Sequence, residues 1–360
     1  MSATLRRALG LMSGTSLDGI DVAFIETDGR SRVAPGPALT VPYDEGLRSR
    51  LRSVLGGTGP VASVERELTD AHAAAVEAFL ARHVLRPIDV VGFHGHTILH
   101  RPREGRTWQI GDGARLAARI GIDVVADFRS ADVAAGGEGA PLVPVFHAGL
   151  AAALERPLAI LNLGGVGNVT WLGAGEGEIL AFDTGPGNAM IDDWVLHHTG
   201  RPFDAEGALA RVGRVDQAWV EHFLAHPFFD RPPPKSLDRD DFRVFVPDGM
   251  SAGDGAATLT AMTVAAVAAA RRHFPAPPRR WLVTGGGRHN PGIMAALAAA
   301  LGLPVEPVEA VGWDGDALEA QAFGYLAVRS LDGLPLSFPT TTGVHAPTPG
   351  GRLFRVDAAR

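Results

Sequence analysis

Leu9–Phe24 reads L-G-L-M-S-G-T-S-L-D-G-I-D-V-A-F, and the fold is decided here. Apolar runs flank a polar core of Ser13, Gly14, Thr15, Ser16, Asp18 and Gly19, which predicts strand, tight turn, strand. Glycine lets the backbone approach a ligand, and the amides and hydroxyls of such a turn suit phosphate oxygens. Asp18 and Asp21 are placed to hold a hydrated divalent cation beside them. The stretch is not a Walker loop, since G-x-x-x-x-G-K-[ST] is absent and the chain's one lysine is Lys235. It is not a dinucleotide fingerprint either. G-x-G-x-x-G is missing, and Ile20–Thr27 has a strand pattern where that fold needs a helix. Taken alone, the stretch is more often a plain hairpin.

Working outward, 360 residues exceed one ordinary core, so two domains are expected, with the division near residue 150 (1–150 and 151–360). Hydrophobic content of 46% against 20% charged residues is that of a globular chain. The absence of cysteine excludes thiolate nucleophiles and disulfides and fits a reducing, cytoplasmic setting. No signal peptide is read, and the alanine-rich run around Thr258–Ala270 is too short to span a bilayer. A formal charge of −7 without a basic block argues against nucleic acid as a partner.

Strand and helix patterns alternate along the chain. Val64, Leu68, Ala71, Ala75, Phe79 and Leu80 have helical spacing. Ile88–Phe93 reads as a buried strand that ends in a polar loop from His94. Ile122–Ala126 is another strand, and it delivers Asp127-Phe-Arg129. At Leu158 the strand–glycine turn–strand pattern begins again, with Asn162–Asn168 as its turn. Ile179–Phe182 then delivers Asp183-Thr-Gly-Pro-Gly-Asn188. A long helix is expected over about Gly255–Phe274, a strand over Trp281–Thr284 and a last helix over about Asp316–Leu331. The Thr/Pro/Gly-rich tail from Pro339 reads as loosely held. Each polar motif follows a strand, where ligands bind in open α/β sheets.

Nine motifs stand in order: G-L-M-S-G-T-S-L-D-G-I-D (Gly10–Asp21), H-G-H-T (His94–Thr97), Q-I-G-D (Gln109–Asp112), D-F-R (Asp127–Arg129), G-A-P-L-V-P (Gly139–Pro144), N-L-G-G-V-G-N (Asn162–Asn168), F-D-T-G-P-G-N (Phe182–Asn188), P-P-K-S (Pro233–Ser236) and T-G-G-G-R-H-N-P (Thr284–Pro291). Together they resemble the anhydro-N-acetylmuramic acid kinases over nearly the whole chain. That family belongs to the actin-like sugar-kinase superfamily, so the resemblance implies an α/β fold of two duplicated, ribonuclease H-like lobes around an ATP cleft.

The resemblance also implies roles. Gly14, Thr15, Ser16, Leu17, Asp18, Gly19, Ile20 and Asp21 match the first phosphate loop, and Gly164, Gly165, Gly167 and Asn168 the second. Gly285, Gly286 and Gly287 match the adenosine-side turn. Asp183 matches the catalytic base, and Thr97, Arg129 and Glu319 match sugar-contacting positions. ATP is the implied co-substrate, with Mg2+ and Asp18 as its ligand, and an anhydrosugar the implied acceptor. No nucleic acid or membrane partner is implied, and a homodimer is compatible. Two positions depart from the family near its sugar side: His96 and Glu138 each replace a usual glutamine. The readings in play are a kinase of anhydro-N-acetylmuramic acid, a kinase of levoglucosan or a hexose, and a non-catalytic sugar or nucleotide sensor. His94, His96 and His100 invite zinc, but their spacing is not that of H-E-x-x-H, and hydrogen-bonding histidines are the better reading.

Overall fold

A computed structural model describes residues 4–14, 17–85, 87–175, 177–239 and 241–356. The chain opens with strands β1 (Arg6–Ser13), β2 (Gly19–Thr27) and β3 (Val33–Pro42). Helices α1 (Glu45–Ser53) and α2 (Val61–Arg82) lead to strands β4 (Val90–Arg101) and β5 (Arg106–Ile110). Then come α3 (Gly113–Ile120), β6 (Val124–Ala126), α4 (Ser130–Ala134) and α5 (Pro144–Leu150). Strands β1, β2 and β3 are antiparallel, while β1, β4 and β6 run parallel.

The same plan then repeats. Strands β7 (Leu158–Leu163), β8 (Val166–Leu172) and β9 (Ile179–Pro186) are antiparallel neighbours. Helices α6 (Ala189–Thr199), α7 (Ala208–Val212), α8 (Gln217–Leu224) and α9 (Ala252–Ala270) precede β10 (Trp281–Thr284). Helix α10 (Pro291–Leu301) leads to β11 (Val305–Pro307), and β7, β10 and β11 run parallel. The second sheet, in the order β9-β8-β7-β10-β11, repeats the run β3-β2-β1-β4-β6 of the seven-stranded first sheet, with three antiparallel strands followed by two parallel ones, while the first sheet adds a hairpin partner for β4 and a further edge strand. This is the duplicated α/β plan that the motif order implies.

The chain ends with α11 (Leu318–Leu331) and β12 (Arg352–Phe354). One compact unit comprises Met1–Ala153 with Ala317–Arg360, and the other is Leu154–Asp316. A single division near residue 150 therefore misses the return of the C-terminus to the first unit. The cause is close packing of α11 on the first sheet. A Cβ at Gly10 would stand 1.7 Å from the Ala320 carbonyl oxygen, and one at Gly92 2.0 Å from that of Phe323. Only glycine admits the helix backbone so near the strands.

Three other expectations are corrected. The stretch from His94 is strand, because β4 runs on to Arg101 and pairs with β5. The tail is held: Thr341, Thr342 and Val344 are buried and β12 pairs with β6. The alanine-rich segment is long enough to cross a membrane by length and composition, over Ala252–His273, and 56% of its apolar window is buried within the protein. Buried Met262, Val264 and Val267 of α9 pack with Phe182, Trp194 and Phe223 in the second unit's core.

Candidate active site

In the first unit the opening turn joins β1 to β2. Thr15 and Ser16 lie outside the described residues. Leu17 takes positive φ (+60°) and its N–H donates to the Gly14 carbonyl at 3.1 Å. The Leu17 carbonyl accepts from Arg48 Nε at 3.1 Å, and the Asp18 carbonyl from the Tyr43 N–H at 3.1 Å. The side chains of Leu17 and Ile20 are buried, so only their main chain is left to meet a ligand. Asp18 is exposed. Thr40 donates to Asp21 Oδ1 at 2.6 Å. Under the turn lies a buried chain of hydrogen bonds, in which Tyr43 Oη donates to Ser13 Oγ at 2.6 Å and Ser13 Oγ lies 3.0 Å from His96 Nδ1. Burial holds His96 down to about 4, hence neutral. The departure at His96 thus sits under the turn, fully buried, rather than on a ligand-facing surface.

The sugar-side candidates lie within β4, just after β6 and at the start of α11. Arg129 donates through Nε and Nη2 to His94 Nε2, both at 3.1 Å, and through Nη1 to the Gly139 carbonyl at 2.8 Å. His94 therefore carries its proton on Nδ1, which donates to the Gly95 carbonyl at 3.0 Å. Burial, then the Arg129 charge, holds His94 well below the usual imidazole range. Burial brings Arg129 down to about 10, against the pull of Glu319 and Asp132. Glu319, near the start of α11, is open to solvent although protein atoms crowd it. That crowding raises its carboxyl above the usual range, with Arg129 opposing and Asp21 adding to the rise. Thr97 Oγ1 accepts from Gln109 Nε2 at 3.2 Å across the β4–β5 pair.

The loop bearing Glu138 is tied to the C-terminal tail. Buried Asp132 accepts the Gly139 N–H at 2.6 Å and the Thr342 hydroxyl at 2.5 Å, and the Glu138 N–H donates to the Thr342 carbonyl at 2.7 Å. Sequence reasoning missed Asp132, Thr342 and the bracing role of His94, since nothing in linear spacing links residues 132 and 342. Among the described residues no group of three or more histidine and carboxylate side chains could hold a metal, so the zinc arrangement is not formed.

In the second unit, the Gly164–Gly167 turn is held by main chain. The Asn188 N–H donates to the Gly164 carbonyl at 2.8 Å, the Gly187 N–H to that of Gly165 at 3.0 Å, and Asn188 Nδ2 to that of Leu163 at 2.7 Å. Asp183 on β9 stands opposite Asn168 on β8 in the antiparallel register. The proline-rich loop grips it twice: the Asp183 N–H donates to the Lys235 carbonyl at 2.9 Å, and the Leu237 N–H donates to Asp183 Oδ2 at 2.8 Å. Lys235 points away, into the protein. Its ammonium lies 2.9 Å and 3.2 Å from the carbonyls of Phe228 and Phe229 and 3.2 Å from His273 Nε2. The P-P-K-S motif announced this loop, but its support of Asp183 was not legible in the sequence.

Gly285, at φ +77°, turns from β10, and a Cβ there would lie 2.4 Å from Asn162 Oδ1. Arg288 pins this turn by donating to Glu309 at 2.9 Å and to the Gly285 carbonyl at 3.1 Å, and by pairing with Asp316 at 2.9 Å. Gly285–Gly287 and the second turn thus meet within one unit.

Comparison with known proteins bears on the family. The family described as anhydro-N-acetylmuramic acid kinase matches residues 6–355. The protein of that name from Paramagnetospirillum magneticum is 64% identical over 350 residues, spanning 96% of this chain and 98% of its own length. Its namesakes from Acidiphilium cryptum and Rhodospirillum rubrum are 59% and 58% identical, each over at least 96% of this chain and 94% of its own length. Matches of this depth over nearly the full length place the chain in the anhydro-N-acetylmuramic acid kinase family.

Proposed function

We propose that this protein uses ATP to phosphorylate anhydro-N-acetylmuramic acid while opening its 1,6-anhydro ring, giving N-acetylmuramic acid 6-phosphate in cytoplasmic recycling of cell-wall sugar. Asp183 takes a proton from water, and the water oxygen bonds to the anomeric carbon as the bridge to O6 breaks. O6 then takes the γ-phosphoryl group, and ADP leaves. The observation that carries this reading is the Asp183 carboxylate, set opposite Asn168 of a glycine turn and fixed through Oδ2 by the Leu237 N–H. A general base works by being held at the reacting proton.

The other assignments follow the chemistry of the groups. The two glycine turns present backbone amides to phosphates, and Gly285–Gly287 border the nucleoside. Thr97, Arg129 and Glu319 hold the sugar. Three of Arg129's five N–H donors are occupied inside the first unit, which leaves two to offer a carboxylate or sugar oxygens. The exposed Asp18 would hold Mg2+ brought in with ATP, and the ion would neutralise phosphate charge there.

Two measurements test the reading. With labelled water, one solvent oxygen must appear on the anomeric carbon of the product at early times, before ordinary anomeric exchange. A phosphorylated product without label would mean that no hydrolytic opening occurs. Asp183→Asn should lower kcat by about 100- to 10,000-fold with ATP binding kept. A variant retaining most of its turnover would remove Asp183 from the mechanism.

A further inference from the structure

Beside the Gly286–Gly287 turn the second unit contains a cavity of about 430 Å³. Ile191 and Ile293 give it an apolar wall and Phe203, 57% exposed, stands at its edge. Most of the polar side chains set back in its lining are committed. Asn188 donates to the Leu163 carbonyl, and Asn290 Oδ1 accepts the N–H groups of Gly292 and Ile293 at 3.0 and 3.2 Å. Asp204 accepts those of Leu209 and Ala210 at 2.8 and 3.0 Å.

Asp192 is different. It lies one turn into α6, half-buried, and among the described residues no hydrogen bond or ion pair reaches its carboxylate. Its neighbour Asp193 is the one that takes Arg239, at 2.7 Å. Burial pushes Asp192 up to about 7, with Asp193 and Asp204 adding to the rise and Arg239 opposing it. A half-buried carboxylate without donors is costly, and a ligand that brings donors relieves the cost. A nucleoside has the matching form: a flat apolar base for the isoleucine wall, with hydroxyl and amino donors at its edges.

We propose that Asp192 is the specificity-determining acceptor for the nucleoside of the phosphoryl donor, taking hydrogen bonds from the ribose hydroxyls or from the amino group of the base. The inference rests on the kinase reading above and deepens it. Dissociation constants of ATP, 2′-deoxy-ATP and ITP for the full chain and for Asp192→Ala and Asp192→Asn test it. The unaltered protein should bind one of the two analogues about 10- to 100-fold more weakly than ATP, the effect of one hydrogen bond to a charged group. Weaker 2′-deoxy-ATP identifies the ribose as the donor, and weaker ITP the amino group. Asp192→Ala should weaken ATP by the same factor and abolish the discrimination, with Asp192→Asn between the two. Failure of the unaltered protein to bind ATP would sink the kinase reading itself. ATP bound with no discrimination, or discrimination that survives Asp192→Ala, overturns the role of Asp192 alone.

Discussion

The turns after β1 and β7 occupy equivalent places in two sheets of one topology, yet they are secured differently. The first rests on side chains from distant strands, the buried Tyr43–Ser13–His96 chain. The second is closed by backbone bonds from Gly187 and Asn188, and a Cβ at Gly187 would fall 2.2 Å from the Gly164 carbonyl oxygen. Topology fixes where the turn lies. What braces it is free to differ, because any buried donor and acceptor that satisfy one another will serve.

The contrast extends to buried histidine and makes acid its strongest test. In the first unit, burial holds His72 and His96 near 4 and His147 near 3, and also lowers His94. In the second unit His273 is lowered too, but it is only partly buried. The folded pKa values lie below the unfolded value of about 6.5, so the unfolded chain binds more protons between pH 6.5 and 4. Stability is full above that window and is lost as pH falls through it, by about 1.4 kcal/mol per pH unit for each such histidine. Segment-resolved hydrogen exchange between pH 6.5 and 4.5 should show the first unit losing protection well before the second. Equal loss in both would erase the distinction.

Glycine substitution should separate packing from ligand approach. Gly10→Ala drives a Cβ into the Ala320 backbone and should cost about 3 kcal/mol or more in thermal unfolding. Gly165→Ala meets nothing nearer than the Ala189 Cβ at 3.6 Å and should change stability by less than about 0.5 kcal/mol. If the second turn cradles phosphate, that same variant should bind ATP more weakly. A Gly165→Ala protein that unfolds as Gly10→Ala does would contradict the comparison.

A smaller effect concerns the loop behind Asp183. Lys235→Met leaves the Phe228 carbonyl without its donor, while that of Phe229 keeps His273 Nε2 at 3.0 Å, and should cost about 1–3 kcal/mol. Burial brings Lys235 down to about 8, so between pH 8 and about 10.4 the unfolded chain binds the extra proton. The unaltered protein should therefore gain stability relative to Lys235→Met as pH rises through that range. Parallel stability curves would show that burial of the ammonium has no such consequence.

The strand–turn–strand patterns and the paired halves were legible from the sequence. Local spacing carries them: apolar runs bounded by glycine and aspartate make strands and turns wherever they occur. Membership of the family could also be read there, since nine motifs in order identify it although each alone is weak. Read locally, however, H-G-H-T became a loop, because its polarity concealed a strand covered on both sides. The tail became loose for the same reason, its threonines being polar until Asp132 and Glu138 are brought to them.

Sequence by itself therefore determined the repeated α/β plan and the family. Tertiary structure alone decided that the last helix returns to the first sheet, that His96 braces a turn from beneath, and that Lys235 faces inward while its loop grips Asp183. It also left the half-buried Asp192 without a hydrogen-bond or ion-pair partner among the described residues. Each of these depends on contacts between residues tens to hundreds of positions apart. Burial and hydrogen bonding there are set by which surfaces meet, and local pattern holds no record of that.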